Sequence, residues 1–160
     1  VKILSFAAAL LALGFAVAAH GADAPGKAFY LGSWQIASAA VAPWVQSGAV
    51  PDAAESKTLV GKTLRFEAKR IVGPGILACP TLDYQLVQSP PEGLFQGALE
   101  EMQRADKSVD PAKLAQKLGF KPGPIQTLQT GCANELDFHF IDEKHAAFGL
   151  NDYVYTITKP

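Results

Sequence analysis

The chain of 160 residues has little net charge and few charged residues, −1 overall and 18% charged. A balance so near neutral offers no basic field to draw in nucleic acid and no acidic block of the disordered kind, so nucleic acid is not expected as a partner. Cysteine is scarce as well. Cys79 and Cys132 are the only two and do not form a C-x-x-C pair, which excludes a thiolate metal cluster or a redox motif of that type. No serine lies in a G-x-S-x-G elbow. Gly61-Lys62-Thr63 ends like a phosphate-binding loop, but Ser56 stands where the first glycine is needed, and the triplet leads into a strand instead of a helix. No helix opens after Gly73-Pro74-Gly75 to receive a pyrophosphate, so that triplet reads as a turn. These absences leave no expected catalytic residue, metal or cofactor.

What the chain does have begins at its N-terminus. Val1-Lys2 precede an apolar run from Ile3 to Ala19, broken only by Ser5 and Gly14, with small residues up to Ala24. This is the pattern of a Sec-type secretory signal peptide. Cleavage after Ala18, Gly21 or Ala22 fits the small residues there, whereas a cut after Ala24 would leave Pro25 first. The alanine-rich run is at the short limit for a retained membrane anchor, no nearby cysteine could take a lipid, and no twin arginine precedes it. Residues 1–22 are therefore expected to be removed, leaving a periplasmic or secreted chain, 23–160, with no membrane anchor. A domain of that size buries roughly 70% of its unfolded surface. In an oxidising compartment, Cys79 and Cys132 are expected to form one disulfide.

Along residues 23–160, strand chemistry occupies both ends and helix chemistry the middle. Trp34 and Ile36 fall on one face of a first strand that runs toward Pro43-Trp44, and Gln46 to Lys57 reads as loop. Thr63 to Ala68 alternates cleanly, with Leu64, Phe66 and Ala68 on one side, and Leu82 to Leu86 repeats the pattern. After Pro90-Pro91, the residues Leu94, Phe95, Ala98, Leu99 and Met102 recur at helical intervals. A second helix is predicted from an Asp110 N-cap with Pro111 at the first position, ending at Gly119. Four strands follow in close succession, Ile125 to Thr130, Glu135 to Ile141, Ala146 to Leu150 and Tyr153 to Thr158, with short links that suit antiparallel neighbours. The expected class is mainly β with a helical insert at about 92–119 (α+β), an antiparallel barrel or sandwich of about seven to eight strands.

Gly32-Ser33-Trp34 on the first strand resembles the G-x-W motif of the lipocalin and broader calycin barrels. The resemblance covers three positions. It implies a barrel whose first-strand tryptophan packs against a basic side chain from late in the chain. Lys159 is the basic residue nearest that place, where those families usually offer arginine, and they carry their helix after the eighth strand and not at 92–119.

Two candidate sites follow. On a strand, Asp137 and His139 share one face, about 7 Å apart, while Leu136, Phe138 and Phe140 share the other. If Asp142-Glu143-Lys144 makes a hairpin turn, His145 approaches the same patch. The three could hold zinc or tune a histidine only with a further ligand that the spacing does not supply, so Asp137, His139 and His145 read as a solvated polar face. The second candidate is the interior. Trp34, Phe66, Tyr84, Phe138, Phe148 and Tyr155 are expected to line a pocket for a small apolar ligand, or else to be the packed core. A calycin-like binder of such a ligand is one expected function. The alternative is a protein-interaction module, an enzyme inhibitor or envelope accessory subunit, using the loops Val72 to Cys79 and Ser89 to Phe95, whose Pro and Gly lower the entropy lost on binding.

Intact mass of the product recovered from the periplasm of an expressing bacterium is expected to show cleavage before Pro25. A product retaining the apolar run in the membrane would contradict the leader assignment.

Overall fold

The computed structural model describes residues 28–160, so the expected signal segment lies outside the described residues. The strands are β1 (Gly32–Val41), β2 (Thr63–Glu67), β3 (Arg70–Val72), β4 (Gln85–Ser89), β5 (Ile125–Gln129), β6 (Asp137–Phe140), β7 (His145–Leu150) and β8 (Tyr153–Thr158). The helices are α1 (Ala53–Leu59), α2 (Leu94–Ala105) and α3 (Pro111–Lys117). All eight strands join one antiparallel sheet in the order β3-β2-β1-β8-β7-β6-β5-β4. This is the cyclic order of an up-and-down barrel with one pairing missing, that between β3 and β4.

Side chains from distant strands show that the sheet curls. Phe66 on β2 and Phe138 on β6 are four strand steps apart, about 19 Å in a flat sheet, yet their ring centroids are 4.8 Å apart. Trp34 on β1 lies 5.8 Å from Phe140 on β6. The inner face of the half-barrel is thus packed against itself.

Alternation sets the two faces. Trp34, Ile36, Leu64, Phe66, Phe138, Phe148, Tyr155 and Ile157 form the inner core. A second core lies between the outer face and the helical insert, where Ala147 and Val154 meet Leu94, Phe95, Leu99, Ala115 and Phe120. Small residues on the outer side of β7 let the insert sit close: a Cβ on Gly149 would meet Trp44 at 3.0 Å and Phe95 at 3.2 Å.

The antiparallel pairing of the last four strands in succession, the two insert helices and the Asp110 cap, which accepts from Lys113 N–H, agree with the sequence reading. Four details correct it. The segment expected as loop from Gln46 to Lys57 contains the start of α1, because Asp52 caps Ala54 N–H and seeds a short helix. β3 was not expected, since three residues carry no readable alternation; it exists through pairing with β2 and a bridge from Ile71 to Cys79. The strand placed at Leu82 to Leu86 runs instead from Gln85 to Ser89, where β5 supplies the partner. Finally, α2 is not regular at its start. Phe95, Gln96 and Gly97 all have left-handed backbone, with φ of 54°, 56° and 82°.

Cys79 and Cys132 form the expected disulfide, with Cα atoms 6.0 Å apart and a sequence separation of 53. The bond ties the segment bridged to β3 to the loop after β5, and so spans the end of the missing pairing. Replacing both cysteines by alanine is expected to lower unfolding free energy by about 4 kcal/mol, from the loop entropy restored to the unfolded chain. Urea denaturation with and without reductant measures this, and an unchanged midpoint would remove the bond from the forces closing the half-barrel.

Candidate functional site

The six residues expected to line an interior pocket are brought together, and they touch one another. Phe148 stacks on Tyr155 at 5.0 Å, and Phe138 lies 5.3 Å from Phe148. Trp34 meets Phe66 at 6.2 Å, and Phe66 meets Tyr84 at 6.4 Å. Five of the six are buried, while Tyr84 is half-buried at the edge of the group. The Tyr84 hydroxyl is buried without a hydrogen-bond partner among the described residues, and burial raises its pKa. Tyr155 donates to Glu55 Oε1 at 3.0 Å. At the end of the curl, Lys159 Nζ donates to the carbonyls of Phe29 and Leu31 and lies 5.5 Å from the centre of the Trp34 ring, a cation–π distance.

The polar patch is not where strand alternation suggested. Asp137 and His139 do share the outer face of β6, but the insert covers that face and His139 is fully buried. Its Nε2 accepts the backbone N–H of Phe95 at 2.9 Å, which places the ring proton on Nδ1, 2.9 Å from Thr127 Oγ1. One imidazole thus anchors the left-handed turn of the insert to two strands. Burial lowers the His139 pKa from 6.5 to about 3. Asp137 is half-buried, and desolvation raises its carboxyl above the usual range although Gln129 and the Thr130 N–H bond to it. His145 begins β7 as expected, but its side chain is exposed, with Nδ1 2.9 Å from Asp142. Among the described residues, no group of three or more His, Cys, Asp and Glu could hold a metal ion.

The surface hollows with the most distinctive chemistry flank the loop that carries Cys132. On one side, Ile76, Ala78, Pro80 and Ala133 line an apolar hollow of about 420 Å³ over the disulfide. Ile76 is 57% exposed, although its carbonyl is held by Asn134 Nδ2 at 2.6 Å. On the other side lies a polar cleft lined by Asp83, Gln85, Gln96, Gln129, Glu135 and Asp137. Its middle is a row across three strands, Gln85 opposite Gln129 opposite Asp137. Two residues of its rim, Gln96 and Glu135, have left-handed φ of 56° and 54°, and Gln96 Nε2 donates to the Glu135 carbonyl at 3.0 Å.

No protein-family model matches this chain, and no curated protein and no solved structure matches it. Its site has to be read from its own geometry.

Sequence reasoning did not find Asn134, Gln96 or Thr127. Each acts through a partner 12 to 58 residues away, and no local spacing signals such a contact.

Because His139 is held neutral well below the pKa of an unfolded histidine, the unfolded chain binds the extra proton. Stability is therefore complete above pH 6.5 and falls as pH drops toward 3, by on the order of 4 kcal/mol across the window. Urea melts between pH 7 and 4 should show a steeper loss for the wild type than for His139→Gln, whose amide oxygen can accept the Phe95 N–H without titrating. Parallel curves would remove His139 as the acid-sensitive group.

Proposed function

We propose that the chain is an exported, calycin-like protein-interaction module that acts through the loops stapled by Cys79–Cys132. The observation that carries this reading is where its apolar side chains lie. The inner rings are satisfied by one another, so a small apolar ligand would have to break ring contacts to enter. Val72, the last residue of β3, and Ile76, on the loop from β3 to Cys79, are 46% and 57% exposed, and Ile76 contributes to a hollow that the disulfide, Pro80 and Asn134 hold in shape. Exposed aliphatic side chains on a braced loop lose little further entropy on docking, which favours a protein partner. The G-x-W resemblance, with Lys159 over Trp34, supports a calycin-like body, and the half-barrel order is compatible with one. Export is supported by the disulfide, and among the described residues no helix is long and apolar enough to cross a membrane.

The test is affinity purification of the exported protein from periplasmic extract and from host fluid, with Ile76→Asp alongside. A stoichiometric protein partner is expected on the wild type, weakened at least about tenfold by the buried charge, with no bound small-molecule mass in native mass spectrometry. Tight retention of a lipophilic ligand with no protein partner would overturn the proposal in favour of the small-ligand reading.

A further inference from the structure

The two edges of the sheet are unequal. β3 is three residues long, begins with Arg70, and is covered by Cys79, which exchanges backbone bonds with Ile71 at 2.8 and 2.9 Å. These are ordinary ways of blunting an edge. β4 has none of them. Its five residues, Gln85–Ser89, contain no charge and no proline, and among the described residues only β5 pairs with it. Alternate residues of such a strand turn their N–H and C=O groups away from the sheet.

The inner face is also unfinished there. Leu86, Leu128 and Phe138 lie in one row across β4, β5 and β6. Leu128 and Phe138 are 0% and 1% exposed, whereas Leu86 is 43% exposed. One more strand on β4 would cover it. On the outer face beside β4, Asp83, Glu135 and Asp137 line the polar cleft, and no Lys, Arg or His is among its lining residues.

We infer that β4 is a docking edge for an extended segment of another protein, one that alternates apolar and Lys or Arg side chains. The backbone of that segment would extend the ladder, its apolar side chains would cover Leu86 on the inner face, and its cation near Gln85 would stand beside Asp83, the carboxylate on the β4 side of the outer cleft, with Glu135 and Asp137 further in adding to the field. A second copy of this chain fits less well, because β4 carries no cation and pairing two β4 edges would bring two acidic clefts together. This inference rests on the reading of the chain as a protein-binding module, but on a different surface from the Ile76 hollow.

The probe is a capped heptapeptide of alternating lysine and valine, titrated into the ¹⁵N-labelled exported protein, with a glutamate-for-lysine peptide as control. Amide shifts are expected at Gln85 to Ser89, with affinity falling about tenfold between low and physiological salt and several-fold in Asp83→Asn, which removes the carboxylate beside the edge. Equal binding of the glutamate peptide, shifts centred on Ile76, Ala78 and Thr81 around the disulfide hollow, or no binding would each overturn the inference. So would a concentration-dependent dimer in light scattering that protects the β4 amides without peptide. Ile76→Asp should leave peptide binding intact. If the peptide fails while capture that depends on Ile76 persists, only this inference falls; if that capture fails while the peptide binds β4, only the hollow is removed as a partner site.

Discussion

The contact between Phe66 and Phe138 across the inside of the sheet is the constraint on which the rest depends. It joins strands four steps apart, and it can exist only if the sheet rolls through its β1–β8 pairing. Once rolled, the inner rings satisfy one another, and the protein's remaining surface chemistry is displaced to the rim and the outer face. The disulfide, buried in the same core, reinforces the curl by tying the Cys79 segment beside β3 to the loop beyond β5.

The helical insert turns what would be a solvated outer face into a second core. Ala147 and Gly149 provide a flat seat for it, Phe95 and Leu99 fill the space above, and the His139–Phe95 hydrogen bond fixes where the insert's first turn lies. Three successive left-handed residues are costly, on the order of 1 kcal/mol or more for each that is not glycine. They persist because the turn delivers a backbone N–H to a buried imidazole and the Gln96 side chain to the rim of the polar cleft. The insert therefore links the interior of the fold to the surface beside β4.

Much of the fold was legible in the residues. Alternation at Thr63 to Ala68 and from Ile125 to Thr158 located five strands, the first of which ends one residue earlier at Glu67, and the Asp110-Pro111 start located α3. Burial was readable for the inward residues of β1, β2, β7 and β8, Trp34, Ile36, Leu64, Phe66, Phe148, Tyr155 and Ile157, because they are aromatic or aliphatic. His139 was misread for a definite reason. Alternation tells which side of a strand a residue occupies, but not what lies over that side, and the cover comes from α2, 44 residues away at its Phe95 contact. The polar cleft was invisible for the same reason, since Gln96 and Glu135 are 39 residues apart and meet through a backbone conformation neither residue type prefers.

By itself the sequence determined the class of body: a β-rich chain with a helical insert, and two cysteines placed to form one bond. Those follow from periodicity and composition, which are local properties. Tertiary structure decided that the outer face became a second core, that the cyclic strand order breaks between β3 and β4, and that Leu86 is left exposed in a row that is otherwise buried. These are outcomes of how far a sheet curls before its inner side chains fill the space, and that is set by all the strands together and by no one segment.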